Sequence, residues 1–161
     1  MSACRNKHFV MRVRIGFLRG ESMTQVQQMT QWLTRLVRAV NENPRLVQRG
    51  KHVDALMLLD TGETQHLLDI RRGRIEALGT GPFVMPRWDF ALRAPVDEWL
   101  AFWQPVPAPG HHDLFALIKR RVLRVEGDLH PFMSNLFYFK ALMAAPRGAQ
   151  PFELDEIGVT R

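Results

Sequence analysis

At 161 residues the chain suits one domain that buries about two thirds of its unfolded surface. Its 46% hydrophobic and 24% charged residues are the balance of a globular protein rather than a disordered one. Cys4, the single cysteine, excludes an intramolecular disulfide and fits a reducing, cytoplasmic setting; no apolar run approaches the roughly 18 residues of a membrane span.

The formal charge is +6, and residues 1–22 hold +4 of it, which leaves the body only mildly basic. Residues 1–22 read as a basic leader, with Met23 as the natural start; a basic arm or targeting peptide is the alternative. Residues 24–43 have a helical stripe, Val26, Met29, Leu33, Leu36, Val37 and Val40, capped by Thr24 and stopped at Asn43-Pro44. Trp32 lies beside that stripe. A polar link follows.

Residues 53–60 and 64–71 are strand-like and flank Thr61-Gly62-Glu63, a hairpin turn; Arg72-Gly73 turns the chain into a third strand, residues 74–78. After the Gly/Pro cluster of residues 79–86, Trp88, Phe90 and Leu92 alternate with Asp89, Ala91 and Arg93, a fourth strand with one aromatic face. Pro95, Asp97 and Glu98 suit the first turn of a helix that runs to about Gln104 and carries Trp99, Phe102 and Trp103. Pro105 to Gly110 form an irregular connection. Asp113 is placed to cap a short helix, residues 114–119.

Leu123 and Val125 then alternate with Arg124 and Glu126, and at Gly127-Asp128 the apolar period changes from two to nearly four. A fifth strand hands over to a closing helix bearing Leu129, Phe132, Met133, Leu136, Phe139 and Met143, with Phe137 and Tyr138 widening the apolar arc beyond one stripe. Either Asp128 caps this helix through the amide of His130, or His130 caps it with Pro131 first in the helix. One sheet cannot cover so wide an arc. The surplus face meets a larger core, a ligand cavity, a membrane or another subunit.

Helix, three-strand meander, WDFALRAP strand, VDEWLAFW helix, LFALIKRRVLRVEGDL and closing helix together resemble the sterol carrier protein 2 (SCP2) family over residues 24–145. The resemblance implies an α+β fold: a five-stranded mixed sheet with helices packed over one face, enclosing an apolar tunnel. It implies a lipid-binding domain at residues 23–147 and a separate C-terminal tail at 148–161. The PVPAPG loop and the two histidines after it depart from the pattern. The expected function is non-catalytic binding and carriage of a fatty-acyl, sterol-like or isoprenoid molecule, with no cofactor. The alternative is a dimerising or accessory module serving an enzyme of a lipid or isoprenoid-quinone pathway, its partner a second copy or that enzyme.

The candidate lining is Trp99, Phe102, Trp103, Phe115, Ile118, Phe132, Met133, Leu136, Phe137 and Met143, soft and aromatic side chains that adapt to a flexible guest. Each alone is equally an ordinary core residue. Lys119, Arg120, Arg121 and Arg124, with Arg71, Arg72 and Arg74, form a basic set for transient contact with lipid headgroups, or simply solvated charge. No reading helix or aromatic platform points to nucleic acid. His111-His112-Asp113 with His130 lacks the spacing of a metal site, and Ser134 and Cys4 lack the setting of a nucleophile, so neither metal nor catalysis is expected.

Overall fold

The computed structural model describes residues 20–148, with side chains from residue 25. Most of the expected leader and nearly all of the expected tail lie outside the described residues. The helix expected from Thr24 is α1 (Gly20–Asn41), which begins four residues earlier, so Thr24 is helical rather than a cap. Met29, Leu33, Leu36 and Val40 are buried along one face, as the spacing requires, whereas Val26 is exposed. The end of α1 is pinned by Asn41, whose side chain donates to the carbonyl of Ile75 and accepts from its amide, both at 2.9 Å.

The link after α1 is a further helix, α2 (Pro44–Arg49), which periodicity does not disclose because it is too short. Its signal is chemical: Asn43 accepts from the Leu46 amide at 3.1 Å, and Pro44 stands where a helix's first turn tolerates proline.

Five strands, β1 (Ala55–Asp60), β2 (Gln65–Arg71), β3 (Arg74–Thr80), β4 (Phe90–Arg93) and β5 (Arg124–Gly127), form one mixed sheet in the order β3-β2-β1-β4-β5. β4 runs parallel to β1, and the other neighbours are antiparallel. The register aligns apolar rows on one face. Phe90 lies opposite Met57, which faces Leu68; Leu92 lies opposite Leu59 and Val125.

That face carries the core, covered by α1, α3 (Val96–Phe102), α4 (Leu114–Lys119), α5 (Leu129–Ser134) and α6 (Leu136–Ala144), with a 3-10 turn at Ala145–Arg147. The opposite face bears Leu67 and the paired Gly79, and Phe83 folds back there: a Cβ at Gly79 would lie 3.5 Å from its ring. No helix among the described residues is long and apolar enough to cross a membrane.

Two features join β4 to its neighbours. Asp89 accepts from the Leu56 amide through Oδ2 at 2.7 Å, and its amide donates to the Leu56 carbonyl at 2.8 Å. Its carbonyl accepts from the Asp128 amide at 2.8 Å. Gly127 has a positive φ of 93°, and a Cβ there would stand 2.4 Å from Trp88 Cζ3 and 2.6 Å from the Asp89 carbonyl oxygen. Only glycine allows this approach, which explains the glycine of the Glu126-Gly127-Asp128 word.

The single closing helix of the sequence reading is two helices, divided at Asn135. Asn135 Nδ2 donates to the carbonyl of Pro131 at 3.1 Å, taking the acceptor that an uninterrupted helix would give to a main-chain amide. Asp128 starts α5 by accepting from the amide of His130 at 2.9 Å, the first of the two expected caps.

Candidate functional site: the aromatic layer beneath the divided cover

Between the core face of the sheet and the helices lies a layer of aromatic side chains in two groups. Phe90 of β4 meets Phe132 of α5 and Phe139 of α6, with ring centroids 5.4 and 5.0 Å away, and Phe139 meets Tyr138 at 5.2 Å. Beside them Trp32, Trp103 and Trp99 stack in series at 6.1 and 5.7 Å. The indole nitrogens of two are satisfied: Trp99 Nε1 donates to the Asp60 carbonyl at 3.2 Å and Trp103 Nε1 to the Met143 carbonyl at 2.8 Å. Such aromatic pairs add about 0.5–1.5 kcal/mol each beyond area burial, so the layer contributes substantially to stability.

The ten expected lining residues divide by position. Trp99, Phe102, Trp103, Phe132 and Met143 are buried in this layer; Ile118 and Leu136 are half-buried at its margin; Phe115, Met133 and Phe137 are exposed, Phe137 at 71%. Leu129, Met133 and Phe137 follow one another at four-residue steps across the Asn135 break, all exposed, while Phe132, Phe139 and Met143 point inward. The surplus apolar arc is thus resolved into an inner wall and an outer stripe. Phe90 and Phe139 belong to the inner wall although the lining set omits them; the alternation of β4 and the place of Phe139 in the three- and four-residue series Phe132, Leu136, Phe139 and Met143 are the signals available in the sequence.

Tyr138 is the exception within the layer. Its ring packs against Gly50, where a Cβ would come within 2.3 Å of Cε2, and its hydroxyl is buried without a hydrogen-bond partner among the described residues. Burial pushes the phenol's ionisation well above its ordinary value, so the hydroxyl remains a neutral donor.

The basic set is not uniform. Lys119, Arg121 and Arg124 are exposed and have no ion pair among the described residues, whereas Arg120 is engaged, donating to Glu98 at 2.9 and 3.3 Å. His111 Nε2 lies 2.9 Å from the same carboxylate. Arg147 stacks over Phe102 at 4.0 Å and donates to the carbonyls of Phe102, His111 and His112. The two histidines therefore belong to the fastening of the proline-rich connection. Asp113 precedes α4 without a side-chain capping bond; its carboxylate instead pairs with Lys140 at 2.7 Å. His130 is apart from them, 3.4 Å from Ser134 Oγ.

Two surface clefts stand out, both away from the expected lining. One, of about 300 Å³, lies between the β1–β2 turn and Phe83; the other, of about 230 Å³, lies between Arg35, Arg38 and Pro146.

No protein-family profile and no curated protein matches the sequence. Solved structures do match in shape. The chain is similar to a crystal structure of sterol carrier protein 2, with a TM-score of 0.58 and 14% identity, over 74% of this chain and 96% of that one. It is also similar to the solution structure of a conserved hypothetical protein from Thermus thermophilus, with a TM-score of 0.52 and 13% identity, over 72% and 86% of the two chains. The sheet order, the helices gathered on one face and these superpositions give one conclusion: the chain has an SCP2-like fold, an α+β domain around a five-stranded mixed sheet.

Proposed function

We propose that this domain binds a lipid or other apolar small molecule, non-covalently, in the aromatic layer between its sheet and the α5–α6 cover. The observation that supports this most directly is the combination, at one place, of an apolar layer, a cover made of two short helices and a Tyr138 hydroxyl that has no hydrogen-bond partner among the described residues. The matched protein that bears the name sterol carrier gives the same direction. Outward movement of α5 about Asn135 withdraws Phe132 from Phe90 and Phe139 and opens space for an acyl, sterol-like or isoprenoid chain. Each guest methylene buried there contributes about 0.8 kcal/mol, so affinity needs no ionic group. The Tyr138 hydroxyl meets the polar end of the guest, and Lys119, Arg121 and Arg124 attract the headgroups of the membrane from which the guest comes.

Native mass spectrometry of gently purified protein, together with titration by a fluorescent fatty acid, tests this reading. Co-purifying apolar mass, or saturable binding with energy transfer from the buried tryptophans, is expected. A protein that is empty and also fails to bind the probe rules the reading out.

The exposed Leu129–Met133–Phe137 stripe favours a second reading, an interface for a second copy or for an enzyme of a lipid or isoprenoid-quinone pathway. Phe137→Asp separates the two. A folded variant that keeps the probe but loses a dimer seen by sedimentation velocity supports the interface; a wild-type monomer that binds the probe supports the carrier alone.

A further inference from the structure

We propose that the β3–β4 connection is a membrane-inserting tip, with Val84 and Met85 as the side chains that enter the bilayer. Gly81-Pro82-Phe83-Val84-Met85-Pro86 is six residues long and carries no charged or hydrogen-bonding side chain. Within it Val84 and Met85 are each 94% exposed, more than the other large apolar side chains of the described residues, Val106 at 89% and Phe137 at 71% included. Adjacent apolar side chains wholly in water are unfavourable unless something covers them.

The tip is held from both sides. Phe83 lies against the outer face of the sheet, where a Cβ at Gly79 of β3 would stand 3.5 Å from its ring, and Asp89 is bonded to Leu56 on β1. Met85 has a φ of 49°, a conformation rarely adopted by a non-glycine residue. The connection is therefore an anchored turn with an apolar end, on the side of the sheet away from α5 and α6.

Area decides the occupant. A stable protein contact takes about 800 Å² from each partner, on the order of 20 residues, and two side chains fall far short of that. A bilayer requires no partner surface of matching shape, and each inserted apolar side chain contributes on its own. Pro82 and Pro86 have no N–H, so the tip carries fewer unpaired donors into the headgroup region. Arg87 and Trp88 follow directly; Arg87 is exposed, Trp88 is half-buried with the Arg93 guanidinium 6.0 Å from its ring. Arginine and tryptophan suit the phosphate level of the interface, one step outside the acyl region assigned to Val84 and Met85.

The tip and the aromatic layer are on opposite faces of the sheet, so insertion does not depend on an internal ligand. The test uses the full chain with Met85→Cys in a Cys4→Ser background, labelled with an environment-sensitive fluorophore and mixed with phosphatidylcholine vesicles containing phosphatidylglycerol. A blue shift on mixing, with quenching by acyl-chain spin labels rather than by aqueous iodide, is expected. In parallel, the Val84→Asp/Met85→Asp double variant should co-sediment with unlabelled vesicles at least about tenfold more weakly than wild type. Its thermal unfolding and fatty-acid binding should match wild type, since neither side chain reaches the core. Unshifted emission, or co-sedimentation equal to wild type, overturns the proposal. A dimer that the double variant loses, without vesicle association of the wild type, overturns it in favour of a contact between two copies.

Discussion

His66 occupies β2 with both ring nitrogens engaged, Nε2 with the Thr64 hydroxyl and Nδ1 with the Thr80 hydroxyl, each at 3.1 Å. Burial disfavours the imidazolium and lowers the pKa from 6.5 to about 4, a shift that the nearby Asp60 carboxylate opposes but does not cancel. The unfolded chain therefore takes up a proton below about pH 6.5, while the folded one does not until about 4. Between those values the unfolded state binds more protons, so stability is complete above the window and declines as pH falls through it, by up to roughly 3 kcal/mol. Urea unfolding of wild type and His66→Gln at pH 7.5 and 4.5 checks this: the variant should show a smaller acid loss, and parallel losses would remove His66 as the cause. Tyr138 leads to the opposite kind of expectation. Removing a buried hydroxyl that has no partner among the described residues costs the fold nothing, so Tyr138→Phe should be as stable as wild type or up to about 1.5 kcal/mol more so. If the hydroxyl receives a guest's polar end, the same variant loses about three- to tenfold in probe affinity. A destabilised Tyr138→Phe would mean that the hydroxyl has a partner in the folded protein.

Among the elements, the β4–β5 junction depends most on one small residue. Gly127→Ala combines a positive φ with contacts to Trp88 and the Asp89 backbone that a Cβ cannot make. Loss of about 2–4 kcal/mol is expected from the shift in urea midpoint, and an unchanged midpoint would refute the requirement. This junction was legible beforehand, since the change of apolar period falls on Gly127-Asp128; which of Asp128 and His130 caps the helix was not, and the bond from the His130 amide to Asp128 decides it. The hairpin at Thr61-Gly62-Glu63 was legible for a similar reason: local turn chemistry acts over a few residues. α2 was not, because six residues cannot display a period of 3.6. Nor was the division at Asn135, where a side-chain amide competes with the main chain for one carbonyl. That division also limits what could be read of the candidate site. Leu129, Met133 and Phe137 resemble Phe132, Phe139 and Met143 in composition, and only the packed helices reveal which three turn outward. Placing β4 parallel to β1, and so Phe90 over Met57, requires a long-range pairing between strands separated by a whole meander, which no local pattern encodes.

For the whole molecule, the two membrane contacts proposed above, one ionic and one apolar, differ in their response to salt. As the proposed headgroup contacts, Lys119, Arg121 and Arg124 would act through screened electrostatics, with a range of about 8 Å at physiological ionic strength. Charge reversal at Arg121 and Arg124 should therefore reduce vesicle association at low salt and have little effect at high salt, measured by co-sedimentation across a salt series. Equal association of variant and wild type at low salt would remove these arginines from the contact. The sheet itself raises a different matter. β3 is an outer strand of seven residues, long enough to recruit a foreign strand were its edge left open. Asn41 prevents this at Ile75, where its amide group occupies the donor and acceptor that an incoming strand would use. The end of α1 thus closes this part of the β3 edge to a foreign strand, because both main-chain groups of Ile75 already have a partner.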